Sequence, residues 1–270
     1  MKLRIPFLNR PPRVSVVRLE GAIGASGRLG GSGLTDAGVA PLIEGAFAKR
    51  PVAVAIVVNS PGGSPVQSSL IAARIRRLAD EKAVPVHVFV EDMAASGGYW
   101  LACAGDRIWA DATSVVGSIG VISAGFGLHD LIGRHGIERR VHTAGQSKSF
   151  LDPFRPERPE DVARLTALLE QMHVRFKDWV QARRAGRLAE GVDLFTGDVW
   201  TAGPATDLGL IDGIAHLEPK MKELFGDKLR FVTHAAKRPW FRRFGIDFAD
   251  AALGRAEERL TDPAAWTGWR

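Results

Sequence analysis

Two glycine-rich turns place a candidate serine nucleophile beside backbone hydrogen-bond donors. The turns NSPGG (59–63) and AASGG (94–98) each follow a run of apolar, mostly β-branched residues that predicts a buried strand. In open parallel sheets, functional sites form where the carboxyl ends of strands meet the amino ends of helices. Ser96 stands between such a strand and a helix start. Its position there is typical of a nucleophile next to an oxyanion hole.

A serine hydroxyl needs a base, and histidine is a common choice. Of the seven histidines, His129, His135 and His142 follow the second turn and are candidates for a catalytic triad, although none stands in a recognisable motif. His87 alternates within an apolar strand and is interpreted as a packed residue. His173 lies on a long predicted helix and is interpreted as part of its exposed face.

Lysine is the alternative base, and Lys148 stands in the polar segment TAGQSKSFLDPF (143–154). A lysine acts as a base only as the neutral amine, and since the reference pKa of lysine is ~10.4, such a residue must be desolvated. A Walker A phosphate loop is excluded in this segment because Ser147 stands where that motif requires glycine.

The apolar patterns predict an α/β domain in which strands alternate with helices around a parallel sheet. One predicted helix begins with Ser64 as N-cap, Pro65 at the first position and Gln67 at the third, as in a capping box. Leu70, Ile71, Ile75 and Leu78 are assigned to its apolar face. The other predicted elements are strands over 14–23, 52–60, 84–90 and 107–110, and helices over 39–49 and 160–184.

Composition excludes several classes of protein. The chain has 270 residues, 46% of them hydrophobic and 24% charged, which is ordinary globular usage. The single cysteine, Cys103, excludes a disulfide scaffold and a multi-cysteine metal site, and it is interpreted as a small buried hydrophobe. The longest apolar runs are too short to span a bilayer. The start of the chain shows no secretory signal, so we expect a cytoplasmic protein.

The net charge of +6 does not point to nucleic acid, because neither an aromatic-interleaved RNA-binding motif nor the spacing of a C2H2 zinc finger accompanies the basic clusters. The segment KRPWFRRF (237–244) mixes cations with aromatic residues, as segments at membrane surfaces do. It is interpreted either as a peripheral membrane contact or as a solvated or subunit-facing tail. From the order of the basic segments and the predicted strands and helices, we divide the chain into a basic arm (1–13), one domain (14–235) and a tail (236–270).

Several motifs in one order resemble the signal peptide peptidase A family of serine proteases, peptidase family S49. They are NSPGG (59–63), MAASGGYW (93–100), GSIGV (117–121), GQSKS (145–149) followed by DPFRP (152–156), and VWTAGPATDLGLIDG (199–213). The resemblance implies a ClpP/crotonase-like fold, with mostly parallel sheets, repeated ββα units and flanking helices. It also implies the short, single-domain type of this family.

The resemblance assigns roles to individual residues. Ser96 corresponds to the nucleophile, Lys148 to the general base, and Ser118 to the hydroxyl that orients the lysine amine. The oxyanion hole would consist of the backbone N–H of Gly97 and one from the 61–63 turn, where either Gly62 or Gly63 is the donor. No metal or other cofactor is implied.

The resemblance further implies a homo-oligomeric ring in which neighbouring subunits supply the serine and the lysine of one site. The substrate would be an extended apolar peptide, such as a remnant signal peptide, bound by strand addition with a small apolar residue at the cleavage position. Many members of the family carry an N-terminal membrane anchor that is not visible here, so we expect either the cytoplasm or the periphery of the inner membrane. Two alternatives stay open: an acyl-CoA-processing enzyme on the same fold, and a non-catalytic membrane-associated scaffold.

Overall fold

An eight-stranded sheet forms the centre of the part of the chain that the structure describes. The computed structural model describes residues 11–24, 33–145 and 148–235. The central path of the sheet runs β6-β5-β3-β2-β1-β8, with β4 beside β3 and β7 beside β4. Strands β5 and β6 pair antiparallel, and the other pairs are parallel. The strands are β1 Arg13–Glu20, β2 Ala53–Ser60, β3 Val86–Ala95, β4 Arg107–Ala110, β5 Val115–Gly117, β6 Val199–Thr201, β7 Gly213–Ile214 and β8 Arg230–His234.

Helices cover both faces of this sheet, which is why the central strands are apolar on both sides. One face packs against α1, α2 and α3 in the main core, and the other packs against α7 through Met221. The helices are α1 Asp36–Ala48, α2 Pro65–Lys82, α3 Gly97–Ala102, α4 His129–Arg134, α5 Pro159–Arg183, α6 Ala202–Asp207 and α7 Leu217–Phe225.

The predicted start of α2 is confirmed. The Ser64 hydroxyl accepts a hydrogen bond from the amide of Gln67, and Pro65 occupies the first helical position. The apolar face needs one correction, because Ile71, Ile75 and Leu78 are buried whereas Leu70 is 47% exposed. Leu70 lies about 100° from Ile71 around the helix axis, on the side opposite to the buried Ala72, so it faces away from the core.

A buried ion pair fixes α5 against the sheet. Arg184, at the end of α5, donates to Asp212 at 2.7 Å and to the carbonyl of Gly209, and both charged side chains are almost fully buried. Burial by itself raises the pKa of Asp212, but hydrogen bonds from the Ile108 amide and from Arg184 outweigh it and lower this pKa below its usual value. Asp212 is therefore a structural anchor between the end of α5 and the sheet.

The predicted packing of Cys103 is confirmed, since this residue is fully buried. Burial raises the pKa of its thiol to about 12, so the thiol stays protonated at neutral pH. The adjacent Tyr99 is also fully buried and donates its hydroxyl to the carbonyl of Leu210. His87, another residue predicted to be packed, is buried as well.

Across the described residues, no helix combines the length and the apolarity needed to cross a membrane. Residues 1–10 of the predicted basic arm and the whole predicted tail lie outside the described residues, as does the 237–244 segment. The domain boundaries given above therefore stay predictions.

Candidate active site

Ser96 occupies a strained turn between a strand and a helix. It follows the last residue of β3 and precedes α3, with φ 51° and ψ −121°. This is an unfavourable backbone conformation for a residue with a side chain, and such strain occurs most often at functional sites. The turn is held by the Ser96 amide, which donates to the carbonyl of Gly117 at 2.8 Å, and by the Ser96 carbonyl, which accepts from Tyr99 and Trp100. The Ser96 hydroxyl does not cap the helix.

The two glycine turns lie side by side because Ser60 pairs with Ala94 at the ends of β2 and β3. Gly62 sits so close to the Ser96 turn that an added Cβ would lie 2.8 Å from the Ala95 carbonyl and 2.9 Å from the Ser96 Cβ. Its φ of +100° also disfavours any side chain. Glycine at this position therefore allows the two turns to meet.

The backbone amides around Ser96 differ in whether they already donate a hydrogen bond within the protein. The Gly62 amide donates to the Ser60 hydroxyl at 3.1 Å. The amides of Gly63 and Gly97 have no acceptor among the residues that the structure describes. These two amides are neighbours, because a Cβ added to Gly97 would lie 3.3 Å from the Gly63 nitrogen. Two unused N–H groups beside a serine can bind a developing oxyanion.

Ser118 lies next to Ser96 in the sheet. In the parallel pairing of β3 and β5, the last pair is Ala95 with Gly117. Ser96 and Ser118 directly follow these two residues, so they leave the sheet side by side. Ser118 also has a positive φ of 53°, and its amide donates to the carbonyl of Asp198 at 2.6 Å. The structure thus brings together Ser96, Ser118 and the glycine turns.

A small, largely apolar cavity of about 100 Å³ opens beside Ser96. One wall contains Trp100 stacked on Phe176 of α5, with ring centroids 4.8 Å apart. The cavity is lined by Gly63, Pro65, Ser96, Gly97, Trp100, Gly120, Val121, Ile122, Met172 and Phe176. Trp100 therefore forms part of the cavity wall.

Lys148 is not among the residues that line this cavity. It is exposed on a turn, where its amide donates to the carbonyl of Gly145, and the adjacent residues 146 and 147 are not described. Lys148 belongs to the segment 121–158, which we call the arm and which is distinct from the predicted basic arm (1–13). The arm carries large apolar side chains that are strongly exposed: Ile122, Phe126, Leu131 and Ile137.

The candidate histidines do not reach Ser96. His135 and His142 are exposed on the arm, His129 lies beside Asp130, and none of the three lines the cavity. His173 is different from the prediction, because its side chain is only 20% exposed and its Nε2 lies 3.2 Å from the carbonyl oxygen of Ile119. The prediction of an exposed face is wrong here. Within the described ranges, no three His, Cys, Asp or Glu side chains are grouped to hold a metal ion.

Comparison with known proteins identifies the family. The sequence profile of Peptidase family S49 matches residues 78–227, more than half of the chain. The chain belongs to Peptidase family S49, so the predicted resemblance is confirmed.

Two relatives show how far the similarity extends. The chain is 52% identical over 218 residues to a Brucella abortus protein named Na(+)/H(+) antiporter NhaA, a match that covers 80% of this chain and 30% of the relative. It is 32% identical over 170 residues to the chloroplastic serine protease SPPA of Arabidopsis thaliana, covering 63% of this chain and 25% of the relative. The chain thus spans less than a third of the length of either protein.

A solved structure supports the fold. A mutant of the 1510-N membrane-bound stomatin-specific protease superposes with a TM-score of 0.50 at 16% sequence identity, covering 83% of this chain and 98% of that one. The predicted α/β, ClpP/crotonase-like fold with a mostly parallel sheet is confirmed.

Proposed function

We propose that the protein is a serine endopeptidase in which Ser96 is the nucleophile and Lys148 is the general base. The observation that carries this proposal is the strained Ser96 turn facing two unused amides at the mouth of an apolar cavity. A nucleophile, an oxyanion site and a subsite for a side chain are the three parts that acyl transfer requires. Membership of Peptidase family S49 supports the same chemistry.

The reaction would proceed by acyl transfer through Ser96. Neutral Lys148 takes the hydroxyl proton as the Ser96 oxygen bonds to the peptide carbonyl carbon. The carbonyl oxygen becomes an oxyanion, and its collapse breaks the C–N bond while Lys148 returns the proton to the leaving amine. Water then attacks the acyl carbon while Lys148 takes one of its protons. Collapse of the second oxyanion breaks the ester bond to Ser96, Lys148 returns the proton to the Ser96 oxygen, and the acid is released. The Ser118 hydroxyl oxygen accepts a hydrogen bond from the lysine amine and so directs the lone pair of the lysine nitrogen at Ser96.

The oxyanion donors are assigned to Gly63 and Gly97. Gly62 is the weaker candidate, since its amide is already bonded to the Ser60 hydroxyl. Its function is steric, because it lets the first turn approach the second. Each donor of this kind contributes about 3–4 kcal/mol to stabilising the transition state.

Lys148 would reach Ser96 from a neighbouring copy in a homo-oligomeric ring. Two observations support this. Within one chain the lysine is exposed and does not line the Ser96 cavity, and the arm that carries it exposes Ile122 and Phe126 by 85% and 86%. Exposed apolar residues in one segment mark a surface that another protein covers. Coverage by a second copy would also remove water from Lys148.

The expected substrate is an extended peptide with an apolar side chain at the cleavage position. Trp100, Met172 and Phe176 give the cavity its apolar lining, and about 100 Å³ accommodates a small or medium side chain. Apolar extended segments such as remnant signal peptides fit these requirements. We place the protein in the cytoplasm or at the periphery of the inner membrane, where such peptides would be met.

The decisive experiment compares Ser96→Ala with the parent protein in two assays. We expect the parent to cleave a fluorogenic apolar peptide and to be labelled at Ser96 by a fluorophosphonate. Ser96→Ala should lose both, while Ser123→Ala, which changes another serine at the start of the arm, should keep both. Cleavage by Ser96→Ala at the parental rate would overturn the proposal.

A further inference from the structure

His173 lies beside the proposed site without belonging to the proposed catalytic group. It is on α5, adjacent to Met172 and one turn before Phe176, both of which line the Ser96 cavity. Its Nε2 lies 3.2 Å from the carbonyl oxygen of Ile119. Ile119 directly follows Ser118, and the next residues, 120–122, line the same cavity. The imidazole therefore connects the helix to the segment that joins Ser118 to the cavity wall.

The chemistry of this contact is fixed by the acceptor. A backbone carbonyl can only accept, so Nε2 must carry the hydrogen. The other ring nitrogen, Nδ1, faces the carboxylate of Glu170 at 3.7 Å. Lys177 donates to Glu170 at 3.1 Å and lowers the pKa of this carboxyl group, which keeps it ionised. The ring thus lies between an anion and a carbonyl and has a defined orientation.

The segment 118–122 has few other attachments. The strand β5 ends at Gly117, and beyond it the backbone leaves the sheet. On one side, the Ser118 amide donates to the carbonyl of Asp198. On the other side, the fully buried Ile119 side chain and the His173 contact hold the segment against the core and α5.

We propose that His173 is a positioning residue that holds the segment 118–122 in register with Ser96. The inference rests on the proposed function, because its consequence is the placement of the Ser118 hydroxyl and of the cavity wall. Loss of the hydrogen bond would let both move relative to the nucleophile. Displacements of about 1 Å caused by a remote substitution can reduce turnover about 100-fold.

The test compares His173→Leu, which removes the donor, with His173→Gln, whose amide can place an N–H near the Nε2 position. We expect His173→Leu to reduce kcat/KM for the apolar peptide about 10- to 100-fold. His173→Gln should recover most of that loss. Gln171→Leu, an exposed neighbour on the same helix, is the matched control and should behave like the parent.

Hydrogen exchange at the amides of residues 119–123 provides a readout that does not depend on chemistry. Exchange there should accelerate in His173→Leu and return towards the parental rate in His173→Gln. Unchanged exchange in His173→Leu, or unchanged kcat/KM despite faster exchange, overturns the inference, and so does an equal loss in Gln171→Leu. If the parent shows no Ser96-dependent cleavage, the proposed function fails, and exchange alone then decides whether His173 holds the segment.

Discussion

The two parts of the proposed site are held in place in different ways. Ser96, Gly63 and Gly97 stand at the ends of β2 and β3, where parallel pairing and backbone hydrogen bonds fix them to the main core. Lys148 stands on the arm, whose large apolar side chains are exposed and are not packed into a core. The part on the sheet is complete within a single chain. The part on the arm would be complete only if a second copy of the chain covered it.

This difference separates the steps of the proposed reaction. Oxyanion stabilisation needs rigid donors that are placed before the substrate arrives, and the sheet provides them. Proton transfer needs a neutral amine, and removal of water from a lysine favours its neutral form. A protein built in this way would be inactive as an isolated chain and active after assembly. The two parts should therefore respond differently to substitution.

A large loss of turnover is expected from Gly62→Ala, which disturbs the part of the site that is built on the sheet. The new methyl group would lie 2.8 Å from both the Ala95 carbonyl and the Gly97 nitrogen, so the Ser96 turn must shift. Loss of one well-placed oxyanion donor alone reduces kcat about 100- to 1,000-fold. We expect a loss of at least this size in peptide cleavage, measured as kcat at saturating peptide.

Gly203→Ala is the control for this substitution, since an added Cβ there meets no atom within 4 Å. Gly203→Ala should retain parental activity. Parental turnover by Gly62→Ala would show that the two glycine turns do not shape the site.

The next effect tests whether the arm acts on a neighbouring copy. Ser96→Ala and Lys148→Ala should each be inactive alone, because nucleophile and base act as a unit. Subunits of the two variants, mixed through unfolding and refolding, should regain activity. If subunits mix at random and each site joins two copies, about one site in four contains both an intact serine and an intact lysine. Steady-state cleavage by the mixture measures this directly.

Mixtures that stay as inactive as the single variants would place both residues of each site in one chain. The control mixes Ser96→Ala with Ser96→Ala,Lys148→Ala protein, in which no combination of subunits restores a site. Activity in that control would mean contamination by another peptidase.

Local patterns allowed the first part of the site to be predicted from the sequence, because its residues are close to the turns that define it. The capping box at Ser64 and the turn at Ser96 each depend on a few consecutive residues. The choice between Gly62 and Gly63 could not be made, since it depends on whether the Ser60 hydroxyl turns towards the Gly62 amide. A hydroxyl rotamer has no sequence pattern.

Contacts between distant parts of the chain were not predictable in this way. His173 contacts the carbonyl oxygen of Ile119, which is 54 residues away along the chain. Helical periodicity alone therefore predicted an exposed side chain, which is wrong. The pairing of Arg184 with Asp212 likewise depends on how α5 lies across the sheet. The strand β8 was missed because it is a short strand, half-buried at most, at the edge of the sheet.

The smallest effect on stability is expected in the arm, from Phe126→Ser. The Phe126 side chain is 86% exposed, so its removal leaves no cavity, and the free energy of unfolding should change by no more than about 0.5 kcal/mol. If a second copy covers the arm, the same substitution should nevertheless weaken assembly, because it removes apolar area from the interface. Chemical denaturation and sedimentation velocity measure the two quantities separately. Phe176→Ser is the contrasting variant, since that ring is buried against Trp100 and its loss should destabilise the fold by about 3–5 kcal/mol. A Phe126→Ser protein that assembles like the parent would show that this part of the arm is not the covered surface.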